Sequence, residues 1–173
     1  SVVAKKVYLT IECPGGVRPV SVIGREGRIR GQSVELYLNQ LYGGQEKYAL
    51  VEIEVPPGRH GESVAIASAR VTYENPFTRE TETSSAVVRG SYSRDRGEVD
   101  KSDNVTVKKA YYLTVNSVGG EQAIALADEG KKDRAADTLR SSAARLKQAG
   151  KKYDDRELEK KAEDREKKEQ QKK

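Results

Sequence analysis

Apolar and polar residues alternate with period two through roughly the first ninety positions, after which the spacing turns helical. That switch constrains the fold more than any motif, because the two periods bury opposite kinds of surface. Val7, Leu9 and Ile11 alternate with Tyr8, Thr10 and Glu12, and Val34, Leu36 and Leu38 with Glu35 and Tyr37. Val51, Ile53 and Val55 face away from Glu52 and Glu54. Over 63–74, Ala65, Ala67, Ala69, Val71 and Tyr73 share one face, and Ser68, Arg70 and Thr72 the other. Turn residues separate these runs: Pro14-Gly15-Gly16, a basic connection from Gly24 to Gly31, Tyr42-Gly43-Gly44-Gln45, and Pro56-Pro57-Gly58. A threonine-rich lead-in (Thr78 to Thr83) precedes the last strand, Ala86 to Tyr92. Six or seven short strands with turns between them predict an antiparallel β-sandwich over residues 1–94.

Residues 95–103 are polar and read as a linker. Asp103 or Asn104 is placed to cap a helix, although Val105, Val107, Tyr111, Tyr112, Thr114 and Val115 favour strand by propensity alone. From Glu121 the helical spacing is clear, with Ala123, Ile124, Leu126 and Ala127 before a stop at Gly130. A second helix is expected over about 132–149, striped by Ala135, Ala136, Leu139, Ala143 and Leu146 and closed by Gly150. A third starts near Asp154 or Asp155. Past Ala162 it has no apolar residue, so a frayed or solvent-bridging end is expected. The fold class is therefore α+β: a β-sandwich, a helical hairpin over 104–152, and a charged helical tail over 153–173.

Charge divides along the same lines. Residues 1–103 carry 14 basic and 14 acidic side chains, so the net +5 belongs to residues 104–173. In 151–173, 18 of 23 positions are charged, which explains how a chain only 35% hydrophobic still has a sandwich core. Acids are interspersed with the bases there (Glu157, Glu159, Lys160, Lys161, Glu163), the pattern of a solvated helix face rather than a nucleic-acid patch. No run of eighteen apolar residues is present to form a membrane-spanning helix. Residue 1 is Ser1 and the sequence has no methionine, as expected of a processed or cut piece, or of one from which modified methionines have dropped out.

Candidate chemistry is sparse, and no catalytic residue is assigned. His60 is the sole histidine, has no partner at ligand spacing, and reads as a turn residue. Cys13 has no second cysteine to pair with and reads as a buried or edge thiol. Gly24-Arg-Glu-Gly-Arg-Ile-Arg-Gly31 lacks the Lys-Ser/Thr ending of a phosphate loop. Its Arg25, Arg28 and Arg30 are still the best candidates for an anionic contact. Asp95, Glu98, Asp100 and Asp103 do not have calcium-loop spacing. Tyr111 and Tyr112 read as packing residues.

Several short segments together carry a resemblance: Leu36-Tyr-Leu-Asn-Gln-Leu41, Gly44-Gln-Glu-Lys-Tyr-Ala-Leu-Val51, the strand Ala67-Ser-Ala-Arg-Val-Thr-Tyr73, and the hairpin from Ala123-Ile-Ala-Leu-Ala-Asp-Glu-Gly130 to Leu139. Over roughly residues 2–160 the chain resembles the region following the von Willebrand factor A domain in bacterial, Ca-activated chloride channel-like proteins. The resemblance implies that 104–130 is mainly helix despite its β propensity. It also implies a non-enzymatic scaffold or protein-interaction module, and an AAA-type ATPase as a possible partner. The A domain of such proteins holds a divalent cation through Asp-x-Ser-x-Ser. No such triplet occurs here, so no metal or other cofactor is expected in this segment, and the A domain itself is expected upstream. An oligomerisation or polyanion-binding protein acting through the basic C-terminal helices is the alternative function. The compartment is open, with a bacterial envelope or secreted location as the alternative.

Overall fold

A computed structural model describes residues 1–171, which fall into two units, Ser1–Lys101 and a second beginning at Ser102. The first contains β1 (Val2–Glu12), β2 (Arg18–Ile23), β3 (Arg28–Arg30), β4 (Ser33–Tyr42), β5 (Leu50–Glu54), β6 (Ser63–Glu74), β7 (Thr81–Ser91) and a short helix α1 (Arg96–Lys101). Five strands make one antiparallel sheet in the order β3-β4-β1-β6-β7, and β2 pairs with β5 in a second. The inward set of the period-two pattern fills the space between them. Val34, Leu36 and Leu38 of β4 and Val7 of β1 are buried, with Val22 and Val51 packed on them from the other layer and Ala49 from the connection just ahead of β5. A second cluster joins Cys13, Val17 and Ala67 to Ile53 and Val55. These two layers are the sandwich that the alternation predicts.

Two details depart from simple alternation. Ala4 and Val7 are both buried although three positions apart, because β1 shifts register there and Lys6 takes a left-handed backbone (φ 49°). Asn39, opposite Val7, is left-handed as well (φ 62°), so the kink is built on both strands. The threonine-rich stretch is also more than a lead-in. β7 begins at Thr81 and pairs with β6 down to Ser91, threonine being well suited to a pleated strand.

The second unit consists of α2 (Val105–Asp128), α3 (Lys132–Tyr153) and α4 (Arg156–Gln171). Asn104 caps α2 by accepting the Val107 N–H at 3.2 Å, so helix wins over the strand propensity of this stretch. What decides it is tertiary packing. Tyr112 and Leu113 join Leu146, Ala149, Leu158 and Ala162, while Ala123 meets Ala135 and Leu139. Gly150 does not close α3 as expected. The helix runs on to Tyr153 and ends at a left-handed Asp154. Gly150 serves close approach instead: a Cβ there would meet Glu159 Cγ at 2.6 Å and the Asp155 carbonyl at 3.1 Å. The end of α4 corrects a second expectation, because it is neither frayed nor merely solvated. Arg140 of α3 binds Glu169 at 2.8 Å, and Arg165 reaches Asn116 of α2. Charge pairing does there what apolar spacing does elsewhere. Among the described residues no helix is long and apolar enough to cross a membrane.

Candidate functional site

The three arginines singled out from sequence sit at the β3 edge of the large sheet. Register pairing sets Arg28 opposite Glu35 and Arg30 opposite Ser33, while Arg25 lies in the loop entering β3. Arg25 and Arg28 line an open groove together with Tyr8, Ile29, Glu35 and Tyr37. Tyr8 and Tyr37 are direct cross-strand partners of β1 and β4. Their outward positions result from the alternation that buries Leu36. The sequence therefore contained the signal for an aromatic pair beside the arginines, but only strand register brings them together.

The electrostatics of the groove are mixed. Burial pushes the Tyr8 hydroxyl above its ordinary pKa and Glu35 beside it adds to the rise, while Arg28 and Arg30 pull the other way. Glu26 also lines the groove, so the arginines do not make a purely positive surface. Such a patch offers ring faces, guanidinium donors and carboxylate acceptors. Its chemistry suits a mixed-charge segment rather than a purely anionic one.

Most of the other sequence candidates have structural partners. His60 Nδ1 accepts the Arg94 backbone N–H at 3.1 Å and ties its loop to the chain after β7. Tyr92 does the same nearby, donating its hydroxyl to the Pro56 carbonyl at 2.5 Å. Cys13 is buried, and burial raises its thiol pKa, which suppresses the reactive thiolate. Asp95 caps α1 by accepting the Gly97 N–H at 2.8 Å, and Glu98 accepts from the Ser93 hydroxyl at 2.7 Å. Asp103 accepts from the Tyr153 hydroxyl at 3.0 Å. These three acids are thus spent on caps and ties. Among the described residues no group of three or more His, Cys, Asp or Glu side chains is placed to hold a metal ion. Tyr112 packs in the helical core, edge-on to Tyr111 with ring centroids 5.2 Å apart.

No protein-family model matches this chain, and no curated protein matches it in sequence. Solved structures do resemble it. A von Willebrand factor type A protein from Catenulispora acidiphila superposes with a TM-score of 0.64 at 13% identity, over 91% of this chain and 39% of that one. The ArnB paralog VWA2 from Sulfolobus acidocaldarius gives 0.52 at 16% identity, over 94% of this chain and 38% of that one. The chain thus spans about two fifths of each, and its fold is that of a region of these von Willebrand factor A proteins.

Proposed function

We propose that this chain is the non-enzymatic platform of a von Willebrand factor A domain protein, lying C-terminal to that domain, holding or orienting it and offering surfaces to protein partners. The observation that carries the reading is the likeness to two such proteins over nine tenths of this chain, but only two fifths of theirs. The remaining length of a relative leaves room for an A domain, which is where a divalent cation belongs. An AAA-type ATPase is the partner class implied by the family resemblance. The helical unit also supports a protein platform over a polyanion binder. Arg140, Lys109 and Arg165 are engaged with Glu169, Glu157 and Asn116 of neighbouring helices.

The coding sequence upstream of Ser1 tests this directly. An Asp-x-Ser-x-Ser is expected within a domain length, about 150–200 residues, and an upstream region without one would remove the reading. A titration separates the alternative function. Affinity for a DNA oligonucleotide that is tight in about 50 mM salt and falls by orders of magnitude by about 200 mM would favour polyanion binding instead.

A further inference from the structure

The two edges of the five-stranded sheet differ. β3, at one edge, is three residues long and carries Arg28 and Arg30. Short length and charge are the usual guards against edge-to-edge pairing. β7, at the other edge, is eleven residues long, Thr-Glu-Thr-Ser-Ser-Ala-Val-Val-Arg-Gly-Ser, with no proline, no lysine and a net charge of zero. Its one register shift lies on the β6 side, between Ala65 and Ala67, so β7 itself is unbroken. Among the described residues it has a strand neighbour on one side only, and Val87 and Val88 are 64% and 53% exposed on its two faces.

The backbone polarity of that edge is fixed by its ends. Tyr92 donates its N–H to the Glu62 carbonyl at 2.9 Å and accepts from Gly61 at 2.7 Å, and the Glu80 carbonyl accepts from Asn75 at 2.9 Å. Antiparallel ladders alternate, so even-numbered residues bond to β6. Thr81, Thr83, Ser85, Val87, Arg89 and Ser91 present their N–H and C=O groups outward.

We infer that β7 is a homotypic docking edge, on which two copies of this chain join β7 to β7 antiparallel about a twofold axis at Ala86. Side-by-side antiparallel strands related by a twofold pair residues on the same face, so the register sum must be even. Centring on Ala86 uses the whole strand. Ser85 meets Val87 of the second copy, Thr83 meets Arg89 and Thr81 meets Ser91, all through outward backbone groups. Charge is compatible along the full length, since Glu82 falls opposite Gly90 and Arg89 opposite Thr83. No like charges meet. Val88 comes to lie across from Ser84, and each half-exposed valine gains a neighbour. Pairing of this kind is independent of the platform role.

Strand addition without facing side-chain layers belongs to the small, weak class of interface, so the dimer should build up between about 10 µM and 1 mM. Sedimentation equilibrium across that range tests it with the wild type, Val87→Pro and Val87→Lys. Proline at Val87 deletes an N–H that β6 does not use, so the ladder within one chain is kept while the edge is blocked. Lysine guards the edge without touching the backbone, and decides the matter if the proline variant fails to fold. The wild type is expected to move to twice the monomer mass, and the folded variants to stay monomeric with an unchanged far-ultraviolet spectrum. A wild type that remains monomeric throughout overturns the inference. So does a Val87→Lys variant that dimerises as well as the wild type.

Discussion

The Arg165 guanidinium occupies the space that a side chain at Gly120 would take: a Cβ there would meet Nη1 at 2.6 Å and Cζ at 2.9 Å, with Nη2 nearer still. Arg165 is held in place by Asn116, donating from Nε to its side-chain oxygen at 2.7 Å and from Nη2 to its backbone carbonyl at 2.8 Å. Asn116 Oδ1 also accepts from the Ser142 hydroxyl at 3.0 Å, so α2, α3 and α4 meet at one amide. Burial pulls the guanidinium pKa below its ordinary value, yet arginine keeps its charge, and the carbonyl oxygens offset the desolvation.

Gly119→Ala and Gly120→Ala should therefore move stability in opposite directions. At Gly119 a Cβ would make ordinary contact, 3.6 Å from Ser142 Oγ, so the better helix former should stabilise by about 0.5–1 kcal/mol. At Gly120 the same gain is set against displaced charged hydrogen bonds worth about 1.5–3 kcal/mol each, and the net change should be destabilising. Urea melts of the two variants compare them directly. Equal stabilities would mean that Arg165 swings aside at no cost.

Tyr92 should anchor the Pro56-Pro57-Gly58 turn through both its ring and its hydroxyl. The ring lies where a Gly58 side chain would stand, with Cζ 2.5 Å from an ideal Cβ. Tyr92→Phe loses only the bond to the Pro56 carbonyl and should cost about 1 kcal/mol. Gly58→Ala forces the ring out and should cost more, within the roughly 1–3 kcal/mol of an overpacked site. Thermal melts in which Gly58→Ala is the milder of the two would contradict this packing.

How much of the molecule was legible in the sequence depends on whether a feature is local. The alternation of Val34, Leu36 and Leu38 with Glu35 and Tyr37 placed β4 and its buried face correctly, because period two is a property of one strand. The bulge at Lys6 was not legible, since two strands must slip together to create it. Gly150 looked like a stop because glycine often ends a helix, whereas its function depends on Glu159 of the next helix. The tail past Ala162 looked unattached for the same reason. Its partners, Arg140 and Asn116, lie 29 and 49 residues away in sequence. The groove beside Arg25 and Arg28 was half visible: the arginines stood out, but Tyr8 and Tyr37 joined them only through register.

The helical unit should lose stability in acid. Asp103 lies below its ordinary pKa of 3.8, held there first by the Tyr153 hydroxyl and further by Lys108 and Lys152. Burial alone would push Asp155 up, but Lys109 and the backbone N–H groups of Leu158 and Glu157 outweigh it and leave the pKa lowered. A carboxylate depressed in the folded state stabilises fully above its unfolded pKa, about 3.9, and that contribution is lost as pH falls through the folded value. The far-ultraviolet helix signal should hold from about pH 7 to about 5 and weaken below about 4. Asp103→Asn and Asp155→Asn should each lower stability at neutral pH and flatten the acid dependence. An acid profile unchanged in both variants would assign the loss to other groups.

Cys13 should report the opening of the sandwich. It is buried with Val17 and Ala67, and its thiol pKa is raised by that burial, so a thiol reagent meets a protonated and covered sulfur in the native state. Labelling must then wait for the cluster to open, and its rate tracks the open population when closing outpaces reaction. Val17 is 2% exposed, and truncating it to alanine removes packing worth about 2 kcal/mol. Val17→Ala should thus raise the labelling rate about thirtyfold, in proportion to the stability lost in a urea melt. Fast labelling of the wild type, at the rate of a free thiol, would mean that Cys13 is reached without the sandwich opening.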